Sequence, residues 1–199
     1  MILPGAFLFS VSCAGALANA LAIAPPLEIR QEAPAIADTF NLYAYGEGIS
    51  GLEVFYADGK AQIGDPTLST AEVVQPVFFT TSPTSTPTFL AHPKKPTSPG
   101  ADFETLLFTL PTSNSTDHAV LFTELPASGS GTTPITETPS QFNTYGNYII
   151  IEAENANFYA AKTKNEGVWN LLWSEDSGEV LDTVAVTLRT IKPVTETVF

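Results

Sequence analysis

Tyr43 and Tyr45 stand two residues apart in the segment 39–45, TFNLYAY. In an extended chain alternate residues share a face. Asn41, Tyr43 and Tyr45 therefore fall on one side, and Phe40, Leu42 and Ala44 on the other. Two phenol rings about 7 Å apart on one face can stack against successive sugar rings. Polar Asn41 on the same side argues that this face points outward, so Asn41, Tyr43 and Tyr45 form the expected ligand-binding set. Trp169 and Trp173 flank Leu171 in VWNLLW. They are the largest apolar groups in the chain and are expected in the core.

Catalytic chemistry has less to work with. His92 and His118 are the only histidines, and they form no His-x-His or His-x₃-His pair, so a histidine-built zinc or copper site is not expected. A copper polysaccharide oxygenase needs an N-terminal histidine after leader removal, and no expected cut supplies one. His92 reads as a loop residue in AHPKKP, beside Lys94 and Lys95. Ser50 lies in GEGISG, out of the G-x-S-x-G frame, and reads as part of a turn between strands.

A glycosidase requires two carboxylates about 5 to 9.5 Å apart. Glu47, Glu53, Asp58, Asp65, Glu152, Glu154, Glu175 and Asp176 are candidates, and the sequence ranks none above another. Asp58 and Asp65 stand beside Gly59 and Gly64 but lack the dense Asp/Asn alternation of a calcium loop. Asp58 reads instead as hairpin-turn chemistry. The expectation is no catalytic residue, no metal and no cofactor, with an enzyme the weaker reading.

The elements that must position these residues read as short strands. After TFNLYAY come LEVFY and KAQI around Asp58-Gly59, a dipeptide suited to two-residue hairpin loops. EVVQPVFFT, ETLLFTL, AVLFTEL, NYIIIEA, NFYAAK, VWNLLW and TVAVTLRTI follow, separated by Gly64-Asp65-Pro66, Tyr145-Gly146-Asn147 and Asp176-Ser177-Gly178. Pro76 cannot donate to a ladder, so it belongs on an edge or at a break between strands. Segments 80–100 and 126–140 are rich in Ser, Thr and Pro and read as long loops, suited to O-linked sugars. Asn114-Ser115-Thr116 is an N-glycosylation sequon in a turn-like stretch. The expected fold is all-β: a single-domain antiparallel β-sandwich over residues 39–199 with long loops. FNLYAYG and FYADGK echo in FNTYGNY and FYAAKTK about a hundred residues on, which a duplication or chance likeness among aromatic strands explains equally well.

Residues 2–24 carry no charge and run from an apolar stretch into Ala18-Asn19-Ala20. Small residues there suit a signal peptide over 1–20, cut after Ala20. Residues 21–38 then form a Pro/Ala-rich arm, or a pro-segment cut at Arg30. The leader would take with it Cys13, the only cysteine, leaving a disulfide-free mature chain without thiol chemistry. The net charge of −13 repels phosphates and anionic lipid, so neither nucleic acid nor membrane is an expected partner of the processed chain.

The run FNLYAYGEGISGLEVFYADGKAQIGD, with the closing VAVTLRTIKP, is similar to a group of small secreted proteins of filamentous fungi. Those open with a like aromatic strand, a glycine-rich turn and an F-Y-x-D-G hairpin, and end in a V-x-V-T-L-R-T strand. The resemblance implies a fungal extracellular β-protein and transfers no catalytic residue. The expected role is a secreted or cell-wall-associated protein that binds polysaccharide without catalysis. A carboxylate-based enzyme acting on extracellular glycans is one alternative. A structural or effector protein working through contacts with, for instance, a host protein is another.

Overall fold

The computed structural model describes residues 39–82, 88–111, 115–125, 142–151, 157–176, 178 and 180–194. The expected leader with Cys13 and Ala20, the arm with Arg30, the sequon residue Asn114, the segment 126–140, and Glu152 and Glu154 lie outside the described residues.

Twelve strands are found among the described residues: β1 (Tyr43–Gly46), β2 (Ile49–Ala57), β3 (Lys60–Gly64), β4 (Val74–Thr81), β5 (Phe89–Pro93), β6 (Leu106–Thr109), β7 (Leu121–Glu124), β8 (Phe142–Tyr145), β9 (Tyr148–Ile151), β10 (Asn157–Lys162), β11 (Val168–Ser174) and β12 (Thr183–Arg189). A short 3₁₀ turn covers Pro66–Leu68. Among the described residues no helix is long and apolar enough to cross a membrane.

All these strands belong to one antiparallel sheet, in the order β1-β2-β4-β5-β6-β7-β3-β11-β10-β12-β9-β8. β12 also pairs with β1, so the ten strands from β1 to β12 in that order close into a barrel. The all-β, antiparallel expectation holds, but the ladder runs round as one closed sheet and not as the two stacked sheets of a sandwich. A barrel and a sandwich both demand inward–outward alternation, so strand patterns alone do not separate them. β2 and β3 pair across the ring, and β9 hangs the β8–β9 hairpin on β12 through the single pair Arg189–Tyr148.

The interior is apolar and rich in phenylalanine. Phe40, Phe79, Phe89, Phe108, Phe122 and Phe142 are all buried in one cluster with Leu42, Ile49, Val54, Leu171 and Leu188. Phe142 of β8 stacks on Phe89 at 4.6 Å between ring centres and lies 5.5 Å from Phe108. The appended hairpin is thus plugged into the core by this ring together with Ile149 of β9. Trp173 is buried in the same cluster, as expected, whereas Trp169 is only partly buried against it.

Along β2, Ile49 and Leu52 both face this core although three residues apart. The extra residue Gly51 of β2, opposite the step from Ala44 to Tyr45, restores the parity. Outside the barrel a smaller cluster of Phe55, Ala57 and Val168 lies under Ala71 and Val74. Phe55 therefore faces this outer cluster while its echo, Phe158, faces the main core, so the two repeated Phe-Tyr segments do not place their residues alike.

Turn chemistry follows the expected places. Asp58 (φ 49°) and Gly59 (φ 83°) both occupy the left-handed region between β2 and β3, the geometry of a two-residue hairpin loop. Pro76 marks the point where β4 stops pairing with β2 and takes up β5. The fully buried Gln75 supplies what proline cannot. Its Nε2 donates to the carbonyls of Pro76 (2.9 Å) and Lys94 (2.7 Å), and its Oε1 accepts from the Ser98 N–H.

Two expectations fail in this region. Segment 80–100 is not loop throughout: its start completes β4, and Phe89–Pro93 form β5, with His92 on that strand. Apolar Phe89 and Ala91 alternate inward there, and Ser/Thr/Pro composition on either side hides the alternation. Ser50 is not in a turn but on β2, because the preceding turn is confined to Glu47-Gly48.

Gly64 sits at φ 125° with no room for a side chain, since a Cβ there would lie 2.0 Å from the Gly167 carbonyl oxygen. Around Gly59 the same atom would meet nothing within 4 Å. Gly64→Ala is therefore expected to cost about 2–4 kcal/mol from clash and backbone strain together, and Gly59→Ala only about 1 kcal/mol. Thermal unfolding of the two variants checks the ranking, and equal midpoints would refute the close approach.

Candidate functional site

Side chains that point away from the barrel interior line up in register across its outer face. Glu53 of β2, Tyr43 of β1, Arg189 of β12, Tyr148 of β9 and Tyr145 of β8 are successive partners along one row. Ser50, Tyr45 and Thr187 form the next row. Neighbouring members of a row stand about 5 Å apart. This stripe crosses five strands and joins residues from both ends of the described chain.

Asn41, Tyr43 and Tyr45 share the outward face, as the alternation requires. Their exposure differs from the expectation. Tyr43 is only 5% exposed, and its hydroxyl accepts from Asn41 Nδ2 at 3.1 Å. Its register partners on either side are the long side chains of Arg189 and Glu53, and Glu53 is itself paired with Lys94. Tyr43 is thus closed off from stacking on a ligand, and the two-tyrosine platform of Tyr43 with Tyr45 is corrected. Tyr45 remains partly exposed. Its hydroxyl donates to the Ile191 carbonyl at 2.8 Å, fixing the ring against the chain that leaves β12.

Arg189 takes the place that Tyr43 does not fill. Its guanidinium carbon lies 5.2 Å from the centre of the Tyr45 ring and 4.5 Å from that of Tyr148. The two rings come from strands on opposite edges of β12. Both distances are within cation–π range. Arg189 Nε is buried and has no hydrogen-bond partner. Beside it opens a groove of about 530 Å³, lined by Tyr45, Ser50, Arg189, Ile191, Lys192 and Pro193 among others. Tyr148 is 44% exposed and Tyr145 73% exposed. The Asn147 carbonyl accepts from the Thr190 N–H at 2.9 Å, tying the β8–β9 turn to the end of β12.

None of Arg189, Lys192, Tyr145 and Tyr148 belongs to the expected ligand-binding set. A signal for the tyrosines existed in the echo FNTYGNY, which carries both of them. Arg189 sits in the closing VAVTLRT, where alternation marks it as outward but gives no hint of its neighbours.

Several of the other candidates have structural partners. His92 is held by Thr80 Oγ1 at Nε2 (2.8 Å) and Thr105 Oγ1 at Nδ1 (3.1 Å), and stacks on Phe78. Ser50 lines the groove, and His92 is not among the residues that line it. Asp58 accepts from the backbone N–H groups of Glu72 and Val73 and so clamps the loop after the 3₁₀ turn. Among the described residues no cluster of His, Cys, Asp and Glu could hold a metal ion. Compared with known protein families, curated proteins and solved structures, the chain matches none.

Asp65 caps the 3₁₀ turn. Its carboxylate accepts from the Thr67 hydroxyl (2.7 Å) and the Thr67 N–H (2.9 Å), and these bonds hold its pKa below the usual aspartate value. Its contribution to stability is therefore present above the unfolded aspartate pKa and is lost as pH falls through the lowered folded value. Thr67→Val removes the hydroxyl donor and should move the Asp65 titration upward, read by carboxyl carbon NMR. An unmoved titration would show that the hydroxyl does not hold the charge.

Proposed function

We propose that this protein is a secreted, non-catalytic module that binds extracellular polysaccharide on the outer-face stripe of Tyr45, Tyr148 and Tyr145. The observation that carries this reading is the exposure of Tyr145 and Tyr148 as directly opposed partners on one hairpin, next to a groove and to the Arg189–Tyr45 pair. Aromatic faces that stay open to solvent on a rigid sheet offer a pyranose ring its apolar side at little entropic cost. Action at the cell wall or outside the cell rests on the leader-like segment 1–20 and on the resemblance to secreted fungal proteins. Glycosylation at Asn114 fits the same location. The acidic residues with assigned partners cap turns or close ion pairs, which favours binding over carboxylate catalysis.

Retention on insoluble chitin, β-glucan and pectin tests the proposal. A Tyr145→Ala, Tyr148→Ala double variant should lose about tenfold or more in affinity for the retaining matrix, from roughly 1 kcal/mol per ring, with an unchanged circular dichroism spectrum. Retention equal to that of the parent protein would reject the tyrosine stripe.

A further inference from the structure

Resting on the polysaccharide reading, we infer that Arg189 and Lys192 bind the carboxylate of a uronic-acid residue in the recognised glycan. The chain has eight Lys and Arg against 21 Asp and Glu, so a cationic groove is a local reversal of its charge. Lys60 and Lys94 are neutralised by Asp117 and Glu53, and Lys162 lies over the Trp169 ring. Arg189 and Lys192 instead converge on one groove, and among the described residues no acid lines it.

The shape of the site selects the ligand chemistry further. Phenol rings approach Arg189 from both neighbouring strands. A guanidinium stacked on rings keeps its donors in its own plane. Its Nε is buried without a hydrogen-bond partner, and among the described residues that line the groove none is a carboxylate. Arg189 reaches the groove with the rest of its planar fork of donors, which the two coplanar oxygens of a carboxylate match and a neutral sugar hydroxyl does not. One strand beyond Tyr148, the exposed Tyr145 ring supplies a stacking face for the adjoining sugar. The surrounding acidity sets a limit. Repulsion reaches about 8 Å at physiological salt, so isolated or partly esterified uronates suit the groove better than a dense polyanion.

Calorimetric titration of the full chain with trigalacturonate, its methyl ester, laminarihexaose, chitohexaose and hexaglutamate tests this. Trigalacturonate should bind, and methyl esterification or Arg189→Gln should each weaken it at least tenfold. Lys192→Gln, on an exposed side chain, should weaken it severalfold without moving the melting temperature, and it guards against a folding defect in the Arg189 variant. Equal affinity for acid and ester, or binding only to laminarihexaose or chitohexaose, overturns the carboxylate inference and leaves the polysaccharide reading standing. Hexaglutamate binding tighter than trigalacturonate overturns it in favour of a protein partner. If no saccharide binds, both readings fall.

Discussion

The cluster of seven phenylalanines inside the barrel is the constraint on which the rest depends. With one cysteine in the chain, no internal disulfide can share the task, and the apolar interior must hold the strands together. The rings come from the segment before β1 and from β4, β5, β6, β7, β8 and β10. Phe142 bears most directly on the candidate site, because β8–β9 is joined to the barrel by one ladder pair with β12 and by the burial of Phe142 and Ile149 in the core. Its stacking on Phe89 fixes the hairpin from inside, while Tyr145 and Tyr148 ride on the outside of the same two strands. Core packing and surface geometry are therefore two faces of one hairpin.

The outward stripe shows how position along a row decides a side chain's role. Tyr43 and Tyr45 have the same residue type and the same face. Tyr43 falls in register between Glu53 and Arg189 and is covered. Tyr45 falls between Ser50 and Thr187, two short side chains, and keeps a partly open ring. The charge on Arg189 is then held by the rings beside it, with no described carboxylate as partner. A cation stabilised by π faces keeps its hydrogen-bonding capacity for something else.

Much of the strand layout was readable from residues alone. Alternation in 39–45 assigned both faces correctly, and Asp58-Gly59 located the hairpin turn, because each is a local property of backbone and side-chain pattern. The β5 strand was hidden, since its five residues sit within a stretch whose Ser, Thr and Pro content signals loop. Closure of the barrel was also invisible: alternation says which side a residue faces but not which strand will lie beside it. The same limit explains the site. Whether Tyr43 is covered, and whether Arg189 meets two phenols, depends on the pairing of β1 with β12, segments more than a hundred residues apart.

That separation has a consequence for the order of folding. The seam of the barrel joins β1 to β12, and the bond from Tyr45 to Ile191 spans 146 positions. Contacts so distant in sequence form late, after the loop-closure entropy of the intervening chain has been met. While the chain is still emerging, β1 has no β12 to pair with, and Tyr45 has no Arg189 beside it. The groove comes into being only when the last strand docks. The groove is thus a report that the whole barrel has closed, and a truncated or half-folded copy does not form it.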